Sequence, residues 1–267
     1  MNVFKKINVS LIHYYMSRND MPYSSIGVNR RIFRSKFQVR FEKSGKQIKM
    51  EYKKSRKHRL RYSERLLHKE KKMNTYIESV NSNEIPWHRL TTVYKRATDF
   101  PKFLDILSKM ESIEEVDEAG AEIEINIEHQ STLWHSTPFA LIFLLRIFKS
   151  ALDKGKDNKV ALYLSEQLLE LFTNIALAVR GIESLEHPDP LPNFSDMLKE
   201  EYLWSEEYDE EEDEMRYEDG EVFSADLFYS FYYYSYQVLL FSKPLLKQLD
   251  NKKANELYDL LQDLKIR

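Results

Sequence analysis

The charge of this chain changes sign at one residue, Met73, and the break limits which part of it can build a core. Residues 1–72 carry 21 Lys and Arg against 5 Asp and Glu, a net of +16. Residues 73–267 carry 19 against 38, a net of −19. The basic stretch has no sustained apolar period, so it reads as a low-order segment rather than as part of a core. The acidic stretch, 73–267, is long enough to form one domain and to bury roughly 70% of its unfolded surface.

Three readings of residues 1–72 stand side by side. Lys69-Glu70 can be encoded as AAGGAG, a bacterial ribosome-binding sequence, upstream of an ATG for Met73. On that reading Met73 is the native start, and 1–72 is an untranslated leader or a non-native extension. The second reading is a nucleic-acid-binding arm. The run Lys53-Lys54-Ser55-Arg56-Lys57-His58-Arg59-Leu60-Arg61 suits phosphates, and Phe33, Phe37, Phe41, Tyr52 and Tyr62 suit stacking. The third is a clamp that folds back onto the acidic body. Peptides from within residues 1–60, recovered by mass spectrometry from the native host, would exclude the first reading.

The chain has no Cys, which excludes disulfides and thiolate zinc sites. No secretory signal is readable at Met1–Tyr15, where Asn8, Ser10 and His13 break the apolar stretch. The runs Phe139–Phe148 and Phe228–Phe241 are shorter than the roughly 20 residues that span a bilayer. The expectation is a soluble, cytoplasmic protein.

Helical periods dominate the acidic part. Asp99-Phe100-Pro101 reads as a helix start, with Asp99 as the cap and Phe103, Leu104, Ile106, Leu107 and Met110 as the stripe. Ser112-Ile113-Glu114-Glu115 reads as a capping box before Val116, Ala119, Ile123 and Ile127. Ser136-Thr137-Pro138 opens a helix to about Leu152 that is apolar nearly all round. A turn at Lys154–Asn158 precedes a long helix to Arg180, with Leu162, Leu168, Leu169, Phe172, Ile175, Leu177 and Val179 as its apolar residues.

Pro188, Pro190 and Pro192 mark a rigid loop. A short helix is expected around Ser195–Trp204, and then an acidic tract from Glu206 to Glu221 that reads as a solvated loop. Ser224 caps a further helix, with Phe228, Phe231, Tyr232, Tyr236, Leu239 and Leu240 as core, ended by Pro244. Leu257, Leu260, Leu261 and Leu264 stripe the last one. The fold class is all-α: paired helices with short connections in an α-solenoid or irregular bundle. The predicted core includes Phe139, Ile142, Phe143, Leu145, Leu169, Phe172 and Phe231.

Catalytic patterns are absent. There is no Glu-x-x-His for a di-iron bundle, no Gly-x-Ser-x-Gly and no glycine-rich phosphate loop. The expectation is no enzyme, no cofactor and no metal.

The distinctive block runs from Glu84-Ile85-Pro86-Trp87-His88-Arg89-Leu90 through Tyr94, Ala97, Asp99 and Pro101. It continues to Ile127-Glu128-His129-Gln130-Ser131-Thr132, then Thr137 and Phe143-Leu144. Over about residues 87–148 it resembles a bacterial family of HEAT-like helical proteins with the patterns Trp-x-x-Leu, Tyr-Gly-x-Ala-x-Asp-x-Pro and His-Gln-Gly-Thr. Lys95 and Ser131 stand where that family has Gly. The resemblance implies an α-solenoid that binds proteins, in genes that are accessory to or confer immunity against toxin systems.

In that setting Trp87 and Trp134 read as anchors of helix ends. His129 and Gln130 read as caps of the preceding helix, or as a recognition loop at one edge of the solenoid. The partner-binding candidates are Trp87, His129, Gln130, Trp134 and Trp204, with Glu210, Glu211, Glu212, Asp213 and Glu214 steering a basic partner such as a nuclease-like toxin. Two alternatives belong to other classes: a nucleic-acid-binding protein using residues 1–72, and a helical-bundle enzyme of unknown substrate.

Overall fold

Stripes of apolar residues at helical spacing do become buried helix faces. The computed structural model describes residues 73, 75–185, 189–218, 223–264 and 266. The readings of residues 1–72, of Pro188 and of the end of the acidic tract at 219–221 lie outside them. The described residues from Ser79 onward belong to one compact unit.

From Phe100 onward there are eight α-helices among the described residues: α1 (Phe100–Lys109), α2 (Ile113–Ile127), α3 (Thr137–Lys154), α4 (Lys159–Val179), α5 (Glu210–Glu218), α6 (Ala225–Leu239), α7 (Lys243–Leu246) and α8 (Lys252–Asp263). The fold is an all-α helical bundle, with a minimal hairpin of β1 (Glu128–His129) and β2 (Thr132–Leu133) between α2 and α3.

The long helices form two layers. In one, α3 packs on α1 and on α6; in the other, α4 packs on α2 and on α8. Hairpin pairs α1–α2 and α3–α4 join the layers, and α4 also packs on α6. Tyr236 of α6 donates its hydroxyl to Leu264 O just past α8, at 2.7 Å. The seven predicted core residues are all buried, from Phe139, Phe172 and Phe231 at 0% exposure to Phe143 at 8%. Phe148 of α3 meets Phe172 of α4 edge-on at 5.4 Å, an arrangement that aromatic quadrupoles favour. Leu162 and Leu177 depart from the expected stripe: they are 50% and 45% exposed, on the outer face of α4.

The helix starts show which residues hold the free amides. Ser112 accepts from Glu115 N at 3.3 Å. Asn158 accepts from Val160 N at 2.8 Å and from Ala161 N at 3.1 Å. Asp99 differs from expectation. Its side chain makes no cap bond, and its carboxylate lies 4.0 Å from Lys95 Nζ instead. The helix expected to run to Phe241 and end at Pro244 stops as α-helix at Leu239, and a 3-10 turn, Leu240–Ser242, leads to Pro244. It sits in the first turn of α7, where a missing amide costs nothing. The expected helix at Ser195–Trp204 is two 3-10 turns, Phe194–Leu198 and Glu200–Tyr202.

The hairpin replaces the expected capping role of His129 and Gln130. The last carbonyls of α2 are taken elsewhere: Thr137 Oγ1 donates to Ile127 O at 2.6 Å, and Val93 N to Asn126 O at 3.2 Å. His129 pairs with Thr132, so Gln130 and Ser131 form the loop, at φ 52° and 63°. A two-residue turn with both central residues at positive φ prefers glycine in its second position. Ser131 therefore carries strain of about 1–2 kcal/mol, against which glycine's extra chain entropy sets about 0.5–1. Ser131→Gly is expected to stabilise the fold by roughly 0.5–1 kcal/mol, read as a raised urea midpoint at unchanged slope. Destabilisation would mean that the turn conformation is not as described.

Candidate functional site

The chain from Ile85 to Ala97 is irregular, and it is the platform on which the acidic segment is fastened. Trp87 opens the platform from inside. Its Nε1 donates to Ser82 O at 2.9 Å, and its ring lies 5.6 Å from Phe100 and 5.8 Å from Phe143. Thr92 Oγ1 and Lys95 O close a turn over Val93 and Tyr94, with Thr92 N donating to Lys95 O at 2.7 Å. That turn brings Arg96 opposite Thr91 in a single antiparallel bridge and sends its side chain inward.

Arg96 is 4% exposed and Asp213 is 6%. They form a two-pronged ion pair, Nε to Oδ2 at 2.8 Å and Nη2 to Oδ1 at 2.7 Å. The remaining donors of the guanidinium are used as well: Nη1 reaches His88 O at 3.1 Å and Ser205 O at 2.6 Å, and Nη2 reaches Ser205 Oγ at 2.9 Å. The rings of Trp204 and Tyr208 each lie 5.4 Å from its Cζ. A buried charge is tolerated only when it is paired and fully hydrogen-bonded, and this one is both.

Arg89 makes a second fastening at the edge. It is bidentate to Glu200, with Nη1 to Oε2 at 3.0 Å, and its Nη1 also lies 3.5 Å from Glu206. Its backbone carbonyl accepts from Trp204 N at 3.2 Å, while its Nε donates to Trp204 O. The hydrogen bond from Arg89 holds the Glu200 carboxyl below the usual carboxylate range. His88 Nε2 lies 2.9 Å from Glu206 Oε1. Residues 200–214 thus form a strap stitched across the platform by two arginines.

The strap corrects the expectation of a solvated acidic loop. Glu210–Glu218 is helix α5, and Asp213 in its middle is buried rather than presented to a partner. Burial follows from periodicity: one residue of the run faces Arg96 while Glu210, Glu211 and Glu212 stay exposed. Asp209 Oδ1 accepts from Glu212 N at 3.0 Å at the start of the helix. Four acidic residues in the first turn also suit the positive end of a helix dipole.

Trp87, Trp134 and Trp204 are 3%, 2% and 4% exposed. In this conformation none presents its ring to solvent, and their contacts are internal. Trp134 meets Phe223 edge-on at 6.3 Å, and Trp204 backs Arg96. His129 is partly exposed beside Tyr94, whose hydroxyl is 3.5 Å from its Nε2, and Gln130 is exposed at the hairpin tip. Glu214 is partly exposed. The structure therefore brings Trp204 and Asp213 together at the strap and keeps Trp87 and Trp134 within the bundle. His88, Arg89 and Arg96 hold the strap from the platform, and the two large apolar side chains beside them are Tyr208 on the strap and Met215 just past it. The last two are 63% and 58% exposed, among carboxylates.

Behind the platform His135 is fully buried, stacked on Phe231 at 5.1 Å. Its Nε2 donates to Met197 O at 2.9 Å, while its Nδ1 has no hydrogen-bond partner. Burial pushes its pKa down from 6.5 to about 4.

No helix among the described residues is long and apolar enough to cross a membrane. No protein-family model, curated protein or solved structure matches this chain.

Proposed function

We propose that this protein is a non-enzymatic protein-binding domain of HEAT-like type that engages a basic partner through the strap. The observation that carries this is the Arg96–Asp213 latch. It holds an acidic run as a fixed helix while Glu206, Glu207 and Asp209–Glu212 remain exposed. Ordering a run of like charge opposes its self-repulsion, so a ready-made negative face suggests a use for it. Exposed Tyr208 and Met215 supply the apolar contact that charge alone lacks. Two layers of paired helices agree with the solenoid character that the resemblance of residues 87–148 implies. That resemblance suggests a toxin as the partner, and the net −19 of residues 73–267 favours a basic one, which would make the protein a cytoplasmic immunity or accessory factor.

The test is a photo-crosslinking residue in place of Tyr208 in the native host. A discrete adduct with one strongly basic protein is expected, lost when Glu206, Glu207 and Asp209–Glu212 are neutralised together. An adduct that survives neutralisation would refute the reading, as would a probe that captures nothing.

A further inference from the structure

The joint at which α3 starts holds four buried polar side chains without a hydrogen-bond partner among the described residues: Thr91 Oγ1, His135 Nδ1, Ser136 Oγ and Ser235 Oγ. All four residues are 0% exposed. Thr91 belongs to the platform, His135 and Ser136 lead into α3, and Ser235 belongs to α6. Two contacts tie these elements together. Ser136 N donates to Thr91 O at 3.2 Å. The His135 ring stacks on Phe231 of α6, with centroids 5.1 Å apart and planes 22° apart. Ser235 comes four residues after Phe231, so it is the neighbouring side chain on that face of α6.

A hydroxyl or ring nitrogen taken out of water and left unbonded costs free energy, and native proteins satisfy nearly all such groups with protein or with ordered water. Four of them at one joint call for a shared explanation. The chemistry of His135 narrows it. Met197 O can only accept, so Nε2 carries the proton of the neutral ring and Nδ1 is an acceptor. Whatever occupies the joint must therefore donate to Nδ1, while the three hydroxyls can donate or accept. An anion would face the Nδ1 lone pair. Among the described residues no group of three or more His, Asp or Glu side chains could hold a metal ion. The walls against the imidazole, Phe139 and Phe231, are apolar. A small neutral molecule that both donates and accepts meets these demands, and water is the smallest.

We propose that this joint is a site for ordered internal water, one molecule of which donates to His135 Nδ1 and bonds the Ser235 hydroxyl. Buried waters typically make about three hydrogen bonds, and Ser136 Oγ or Thr91 Oγ1 supplies the third. Through His135 Nε2 and Met197 O the same link reaches the chain that leads into the strap. A single molecule then holds α6, the start of α3 and that chain at one point. The inference is independent of the proposed protein partner.

Nuclear magnetic resonance of the full chain with nitrogen-labelled histidine tests it. In wild type the His135 ring is expected as the Nε2-protonated tautomer, with its Nδ1 signal displaced upfield from that of an unbonded imine nitrogen. Magnetisation is expected to pass from water to the proton on Cε1 of the ring. Ser235→Val replaces the hydroxyl with a methyl group and fills the space beside it. That variant is expected to return Nδ1 to the unbonded position and to abolish the transfer. Nδ1 at the unbonded position in wild type would overturn the proposal, and this result needs no variant should Ser235→Val fail to fold. A displaced Nδ1 without transfer from water would overturn it as well, because a protein hydroxyl would then be the donor. So would a transfer that Ser235→Val leaves intact.

Discussion

Arg96→Ala is expected to cost about 3–5 kcal/mol, the range for removing one partner of a buried ion pair. The guanidinium gives up two bonds to Asp213, one to His88 O and two to Ser205, and its contacts with Trp204 and Tyr208 vanish. Asp213 is left as an uncompensated charge at 6% exposure. It can escape by undocking α5, so the loss is bounded by the energy that fastens the strap. Arg96→Met combined with Asp213→Leu removes both charges and keeps the volume, and it should recover much of the loss. Urea unfolding of the three proteins decides between these outcomes. A loss under about 1 kcal/mol in Arg96→Ala would show that the latch does not hold the strap.

The second large effect is a response to acid. His135 binds its proton near pH 6.5 when unfolded and near pH 4 when folded. Between those values the unfolded state holds more protons, so stability rises with pH. The contribution is complete above about pH 6.5 and drains away as pH falls to about 4. A difference of roughly 2.5 pKa units corresponds to about 3 kcal/mol at the acid end. His135→Gln keeps a donor for Met197 O but cannot titrate. The difference in stability between wild type and His135→Gln should therefore shrink or reverse from pH 7 to pH 4. Parallel stability curves for the two proteins across that range would rule out His135 as the cause.

The helices were legible in the sequence because their information is local. A stripe such as Val116, Ala119, Ile123 and Ile127 repeats at the helical period, and all four residues are buried. Ser112 advertised its helix start by residue type and position, whereas Asn158 read only as the end of the turn Lys154–Asn158. The strap was not legible. Arg96 and Asp213 are 117 residues apart, and no period links them. In the sequence Asp213 is one carboxylate in a run of five, and composition favours solvation of the whole run. Its burial depends on a turn at Thr92–Lys95 aiming one cation inward. Nor did anything local indicate that the three tryptophans, which suit interface anchors by residue type, would spend their rings on internal contacts. Tyr208 and Met215 stand out no better, because isolated apolar residues in an acidic stretch carry no periodic signal.

On the proposed function, a fixed acidic face steers a basic partner onto the strap. Exposed charges mainly raise the association rate, and salt screens them over a Debye length of about 10 Å at 0.1 M. The most direct measurement is stopped-flow association of the crosslinked partner at two salt concentrations. Wild type is compared with the protein in which Glu206, Glu207 and Asp209–Glu212 are neutralised and Asp213 is kept. The neutralised protein is expected to associate more slowly and with flattened salt dependence, at a dissociation rate that changes little. An unchanged association rate at both salt concentrations would contradict this steering.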